Sequence, residues 1–449
     1  MDRTPEQSTP KQISHGTRAR YARSRFRNES HDTAHAADET AGALLPRLVH
    51  PMVPHGEAKL ISQQVELQQL VEHLRAEGSF AYDSEFIGEL TYVPKLCLIQ
   101  VASRHQIALI DPLSPDIDLA PFWLLLCDPS VEKIVHAGQQ DIEPVFRHVG
   151  CAAANLFDTQ IAAGFIALAY PVALGKLVKE MLGVRLGKGL TFTHWDQRPL
   201  SPMQLKYAAD DVRYLPALRE AIGQRMNAVA HTDWANEEFA ALCEPSQYAF
   251  NPQTYYLKVR GAQSLQGNQL AILRELTIWR DRVAREHNIP ARSLLKDEIL
   301  ADMSRNPVKS VEKLDRVRGL PRPVEQAHGA ELVEATLRGL ATPADQLPVT
   351  RNFEPTPAER FGSDAVWAAA QCICIGQSVD PALVASRQEL AEFYFNHIAR
   401  PDATAEQSSI MQGWRREALG EPLRKLIAGE SARLRWTNGV LQYSTPAEA

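Results

Sequence analysis

The sequence predicts an α/β domain followed by two small all-α modules. Three observations carry that prediction. Short runs of apolar and β-branched residues crowd between residues 80 and 137, helical periodicity takes over beyond residue 142, and past residue 265 the strand-like runs stop. What remains there is a series of Leu/Ala/Arg-rich helices broken by Pro290, Pro307 and Pro321. A chain of 449 residues has room for about three folded units. With 45% hydrophobic and 23% charged residues, it can bury several cores, which excludes wholesale disorder.

Residues 1–50 have no apolar period and cannot repay the entropy of folding, so they are expected to be a disordered extension. Six basic and no acidic residues lie at 11–27, readable as a nucleic-acid arm but more simply as a solvated tail. The α/β domain is placed at 51–245. It opens with the amphipathic stretch VELQQLVEHLRAEG, continues through the strand-like FAYDSEF, KLCLIQVA, QIALIDPL and VEKIVHAG, and closes with helical patterns at 142–148, 174–182 and 202–226. A linker at 246–266 (containing FNPQTYY) precedes a first module at 267–347. A Pro-containing break at 348–360 then leads to a second module at 361–440. The modules share a faint internal match. Pro290-Ala291 with Lys296 and Glu298 recurs as Pro381-Ala382 with Arg387 and Glu389.

Composition also limits function. No run approaches the ~18 apolar residues needed to span a bilayer, and the N-terminus lacks a secretory pattern, so a cytoplasmic address without membrane partners is expected. Six cysteines without a C-x-x-C pair are expected to be reduced. A net charge of -6 argues against coating nucleic acid by bulk charge. Locally the balance reverses, with 14 Lys/Arg against 8 Asp/Glu at 258–322, which suits either an RNA-facing surface or an ordinary solvated exterior.

Several residues could carry chemistry. Asp83 and Glu85 are two apart in a strand, so their carboxylates leave the same face and repel. A solvent-facing edge would explain a bare D-x-E. Embedding among Phe80, Tyr82 and Phe86 instead suggests a buried conflict that a bound cation would resolve. Asp141 falls at a strand-to-helix turn, where a first-turn carboxylate is also favoured by the helix dipole. His136 reads as a core histidine and Asp158 as a capping residue. Ser201-Pro202-Met203-Gln204 marks a helix start, and Tyr207 and Asp211 along it are about 40° apart around the axis, on one face.

Taken in order, D-x-E, the later Asp141 and Tyr207-x-x-x-Asp211 resemble the tyrosine-bearing branch of the DEDD 3′–5′ exonucleases. PKLCLIQVA, ALIDPL, HAGQQD, LFDTQIAA, LVKEMLGV, WDQRPLS and YAADDVRYL are similar to ribonuclease D specifically, over residues 60–240. WRDRVAREHNIPARSLLKDEILADMSRNP resembles the HRDC module, and the second module looks like a divergent copy.

The resemblance implies a ribonuclease H-like mixed sheet flanked by helices, with Asp83, Glu85, Asp141 and Asp211 as metal ligands. It implies two Mg²⁺ or Mn²⁺ ions, because oxygen-only ligands suit these metals. Asp83 would bridge both ions, Glu85 and Asp211 would complete the site that activates water, and Asp141 would support the second. Tyr207 would orient the water. The expected substrate is RNA with a free 3′ end, tRNA precursors among them, trimmed to nucleoside 5′-monophosphates.

Two other readings compete. One is a DNA exonuclease of the same superfamily, and the other a non-catalytic RNA-binding scaffold on a nuclease fold, which all four acids argue against. A helicase is excluded, because the string from Gly183 to Gly189 lacks the glycine spacing and the Ser/Thr of a phosphate-cradling loop. The modular layout further implies that a chain cut near residue 262 keeps its chemistry on short oligomers.

Overall fold

The computed structural model describes residues 50–444 apart from 89, 188–193, 349–354, 400, 402–405, 407, 430–432 and 438–439. The expected N-terminal extension lies outside the described residues, except for His50, as do Lys188 and Gly189. Six strands form one mixed sheet: β1 (Lys59–Ile61), β2 (Ser79–Ile87), β3 (Lys95–Ala102), β4 (Ile107–Ile110), β5 (Glu132–Val135) and β6 (Leu156–Asp158). Their order is β1-β4-β3-β2-β5-β6, antiparallel for β2/β3 and β3/β4 and parallel for the other pairs. The four longest strands follow the apolar runs of the sequence. The three-residue β1 and β6 are too short to show a period.

Alternation along β2 separates two kinds of contact. Phe80 and Tyr82 face α1 (Gln64–Glu77) and α2 (Ala120–Leu126), joining Leu67, Leu74, Phe122 and Leu125 in one core. Phe80 and Tyr82, two of the aromatic residues that make the D-x-E strand look buried, are therefore on the face opposite the acids. Between Glu85 and Phe86 the pairing with β3 shifts register, a bulge at the end of the acidic pair.

Helices α3 (Gln139–Val149), α4 (Thr159–Gly164), α5 (Leu174–Leu182), α6 (Pro202–Arg213), α7 (Leu215–Ala228) and α8 (Thr232–Leu242) complete the domain. Asp158 caps α4, accepting from the Gln160 and Ile161 amides, and also accepts from Ala137 and Gly138. His136 is held on both ring nitrogens, by Thr159 Oγ1 at 2.9 Å and the Val172 carbonyl at 3.0 Å, in the structural role expected of it. One cysteine expectation is corrected. Cys127 and Cys151 form a disulfide, whereas Cys97, Cys243, Cys372 and Cys374 are free. Their sequence separation of 24 carries no motif, and α3 returning past α2 brings them together.

The first C-terminal module is α9 (Asn268–Glu286), α10 (Ala291–Leu294), α11 (Asp297–Arg305), a 3-10 segment Val311–Arg316 and α12 (Arg322–Leu340). It closes around its own core of Leu273, Leu276, Trp279, Leu300, Leu314 and Leu332. The second repeats the first three steps as α13 (Pro357–Gly376), α14 (Pro381–Val384) and α15 (Arg387–Tyr394), and the internal sequence match falls on the α10–α11 and α14–α15 corners.

Two features of this second stretch depart from the sequence reading. It is not all helical, because strands Arg433–Thr437 and Val440–Ser444 pair antiparallel. The signal was present as two alternating runs around Asn438-Gly439, a strong hairpin dipeptide. Among the described residues it also has no separate core. Ile373, Leu383, Phe393, Trp414 and Leu419 belong to the same buried cluster as Phe165, Val172, Leu177 and Phe239. Trp414 meets the Phe165 ring edge-on at 4.8 Å and stacks on Trp234 at 5.7 Å, while its indole N–H donates to Glu238 at 2.6 Å. Leu383 packs against Gly164, and the Asp380 amide donates to the Gly164 carbonyl at 2.7 Å.

Candidate active site

The site is built where β2 loses one neighbour. Pairing with β5 ends at Ala81, so the β5 side of β2 is open beyond that residue. Into this gap comes the first turn of α3. Tyr82 donates its hydroxyl to the backbone carbonyl of Asp141 at 2.7 Å, and Ser84 donates to Asp141 Oδ1 at 2.6 Å. Asp141 is thereby fixed beside the acidic pair rather than turned to solvent, being only 8% exposed. Sequence reasoning missed both positioning residues. Their signal is adjacency in the sequence, with Tyr82 immediately before Asp83 and Ser84 between the two acids.

Helix α6 covers the face of β2 that carries Asp83 and Glu85. Ser201 and Gln204 form the expected capping box, which fixes where the helix begins. The approach to the helix is clamped by Arg198, which bonds both Asp111 oxygens at 2.6 Å and the Cys97 carbonyl at 2.7 Å. Three quoted motifs, KLCLIQVA, ALIDPL and WDQRPLS, thus meet in one contact. The Trp195 ring lies 6.2 Å from that of Tyr207. Tyr207 and Asp211 share a face as expected and hydrogen-bond to each other.

Electrostatics ties the four acids together. Burial raises the Asp141 carboxyl well above its ordinary value, and the charges of Asp83 and Glu85 raise it further. Burial, then Asp83 and Glu85, push Asp211 up to about 9. Burial also raises the Tyr207 phenol, with Asp211, Glu85 and Asp83 adding to it. Asp83 and Glu85 therefore act on carboxyls from two other elements, and no cation is among the leading influences on either.

The groups are mutually repelling rather than a closed cage. Among the described residues no three His, Cys, Asp or Glu side chains already converge as a metal-ligand set. The donor chemistry nonetheless fits a hard divalent cation, being all carboxylate oxygen in a buried, negatively charged space. Beside it, Gln100 pairs across from Asp83 on β3 and is fully buried, with neither amide atom bonded among the described residues.

A 3′-5′ exonuclease family model matches residues 58–227 and an HRDC domain model matches residues 269–336. Ribonuclease D of Gluconacetobacter diazotrophicus is 34% identical over 373 residues, 82% of this chain and 93% of that protein. The chain belongs to the ribonuclease D family. Ribonuclease D of Bartonella henselae is 32% identical, over 83% of this chain and 90% of its own length. The crystal structure of Escherichia coli RNase D, described as an exoribonuclease involved in structured RNA processing, superposes with a TM-score of 0.71 at 30% identity. It covers 83% of this chain and 99% of that one. The mixed sheet with flanking helices and a C-terminal helical region is the ribonuclease D architecture, and the chain is a nuclease of the 3′–5′ exonuclease class. Among the described residues no helix is long and apolar enough to cross a membrane.

The raised Asp211 has a measurable consequence. Unfolded, its carboxyl titrates near the ordinary ~3.9, whereas folded without metal it titrates at about 9. Between those values the native state holds a proton that the unfolded state has released. Stability of the metal-free protein therefore falls as pH rises through this window, by on the order of 1 kcal/mol per pH unit. In EDTA, Tm is expected to drop from pH 6 to pH 9, and Asp211→Asn to flatten the slope. Equal slopes in both proteins would contradict the assignment.

Proposed function

We propose that this chain trims the 3′ ends of structured RNAs, tRNA precursors among them, releasing one nucleoside 5′-monophosphate per cycle. The observation that carries the reading is the meeting of β2, α3 and α6, where Tyr82 and Ser84 hydrogen-bond Asp141 and the charges of Asp83 and Glu85 reach both Asp141 and Asp211. Asp83, Glu85, Asp141 and Asp211 would hold two divalent cations, Mg²⁺ or Mn²⁺. When bound, such ions acidify a water and stabilise charge on the attacking and leaving oxygens.

The chain's own residues do the rest. Ser84 and Tyr82 hold Asp141 in place, so that its carboxylate is available without reorganisation. Tyr207, whose phenol burial and neighbouring acids keep protonated at neutral pH, is a hydrogen-bonding group rather than a base and orients the attacking water. Hydrolysis of the terminal phosphodiester leaves a new 3′-hydroxyl on the shortened chain, so the cycle repeats.

Incubation with 5′-labelled single-stranded RNA and DNA tests both chemistry and substrate. A 3′-shortened ladder that requires Mg²⁺ and forms faster on RNA is expected. A faster ladder on DNA would favour the DNA exonuclease reading, since telling the two apart requires a 2′-hydroxyl contact. Tyr207→Phe is expected to slow cleavage on the order of 10²-fold while the protein stays folded. Unaltered cleavage would remove Tyr207 from the reaction.

A further inference from the structure

Ser84 and Tyr207 each hold one of the site's acids. Ser84 donates to Asp141 Oδ1 at 2.6 Å, and the Tyr207 hydroxyl donates to Asp211. Carboxylates that ligate metal are ordinarily hydrogen-bonded by such outer groups, which fix their orientation. The residue stationed to do this for Asp83 is on the neighbouring strand. Asp83 and Gln100 are register partners across β2 and β3. Directly opposed residues place their side chains on one face of the sheet with Cβ atoms about 4.5–5.5 Å apart, within reach of a glutamine.

The other register neighbours of Gln100 on that face are apolar. Leu98 and Ala102 flank it along β3, Leu109 is its partner on β4, and all three are buried. Helix α6 lies over them. Its Ala208 joins Leu98 and Leu109 in one cluster, while Ala209 and Val212 join Ala102 and Ile107 in another. Gln100 therefore stands at the seam between two apolar clusters. It is 0% exposed, and neither its amide nitrogen nor its amide oxygen is bonded among the described residues.

An apolar side chain would fill this place more favourably, since a buried amide without partners forfeits the hydrogen bonds it made to water. The strand gives it little freedom to move away. Arg198 clamps the Cys97 carbonyl at 2.7 Å, and β3 is paired on both sides. Among these register neighbours the polar one is Asp83, an acceptor directly across the ladder from a group with two N–H donors.

We infer that Gln100 is a positioning residue of the metal site: when cations bind, its Nε2 group donates to the Asp83 carboxylate and fixes the orientation in which that carboxylate serves the ions. The inference rests on the metal site proposed above and adds a residue that acts through Asp83 without touching metal or substrate. Removing the amide should therefore leave the metal-free protein as stable as before and be felt on metal binding. A residue that merely packs would behave the other way round.

The test compares the full chain with Gln100→Met, an apolar side chain of similar length, by thermal melting in EDTA and by calorimetric titration with Mn²⁺ at pH 7. Gln100→Met is expected to melt at the parent's temperature or above it, while its Mn²⁺ affinity falls on the order of 10-fold. Single-turnover cleavage of labelled RNA at saturating Mn²⁺ should slow by roughly 10-fold as well. Gln100→Asn, which keeps the amide but withdraws it by one methylene, is expected to lose affinity to the same degree. Parent-like Mn²⁺ affinity in either variant would overturn the inference. So would a methionine variant that melts well below the parent, because the amide would then already be bonded without metal. Should Asp83→Asn bind Mn²⁺ as the parent does, it is the metal site itself that fails. Should Asp83→Asn lose binding while Gln100→Met keeps it, the site stands and the positioning role alone falls.

Discussion

Asp83→Ala is expected to lower 3′–5′ cleavage by at least about 10³-fold, ~4 kcal/mol of lost transition-state stabilisation, while making the metal-free protein more stable. The opposite signs follow from the same charge. Asp83 acts on Asp141, Asp211 and Tyr207, so its removal takes away a shared ligand and also a shared source of repulsion. A residue with a merely structural role would lower both activity and stability. Single-turnover cleavage of labelled RNA, set beside thermal melts in EDTA, checks the pair of effects. A variant that cuts at the wild-type rate, or one that melts earlier, would contradict the assignment.

A chain ending at residue 347 is expected not to fold into an active nuclease. This reverses what the modular layout implies for a cut near residue 262, which would remove the second stretch as well. Loss of that stretch would uncover Phe165, Ile166, Val172, Leu177 and Phe239 where they share a core with Ile373, Leu383, Phe393 and Trp414. Each large apolar side chain exposed costs about 1.5–3 kcal/mol, so a handful equals the about 5–15 kcal/mol by which a domain is stable. Glu237 and Glu238 would also lose the Trp414 and Arg415 groups that they bind. Circular dichroism and tetranucleotide hydrolysis of the purified fragment test this. A folded, active fragment would show that the shared core is dispensable.

The contrast explains how much of the molecule was legible in its sequence. Strands β2 to β5 and helices α5 and α6 announce themselves because period and capping are local properties, as Ser201 and Gln204 illustrate. The acids Asp83, Glu85, Asp141 and Asp211 could be nominated only as a set, since each alone has a bland explanation. What holds them was hidden. The Ser84 hydroxyl on Asp141 and the Arg198 clamp on Asp111 join residues far apart in the chain, and no local pattern records them. The hairpin after residue 432 was readable at Asn438-Gly439 yet lost in a helical context. The fusion of the second helical stretch with the nuclease core left no trace, because a buried Leu383 looks the same whichever domain covers it. Pairing of Cys127 with Cys151 was equally silent.

Calorimetric titration of the metal-free protein with Mn²⁺ at pH 7, repeated in buffers of different ionisation enthalpy, decides whether Asp83, Glu85, Asp141 and Asp211 form a metal site. About two ions per chain are expected, with proton release on binding because Asp211, pushed up to about 9 in the metal-free protein, must give up its proton to become a ligand. Asp83→Asn is expected to lose most of this binding. Uptake of metal with no proton release, and with the same affinity in Asp83→Asn, would show that these carboxylates are not the site.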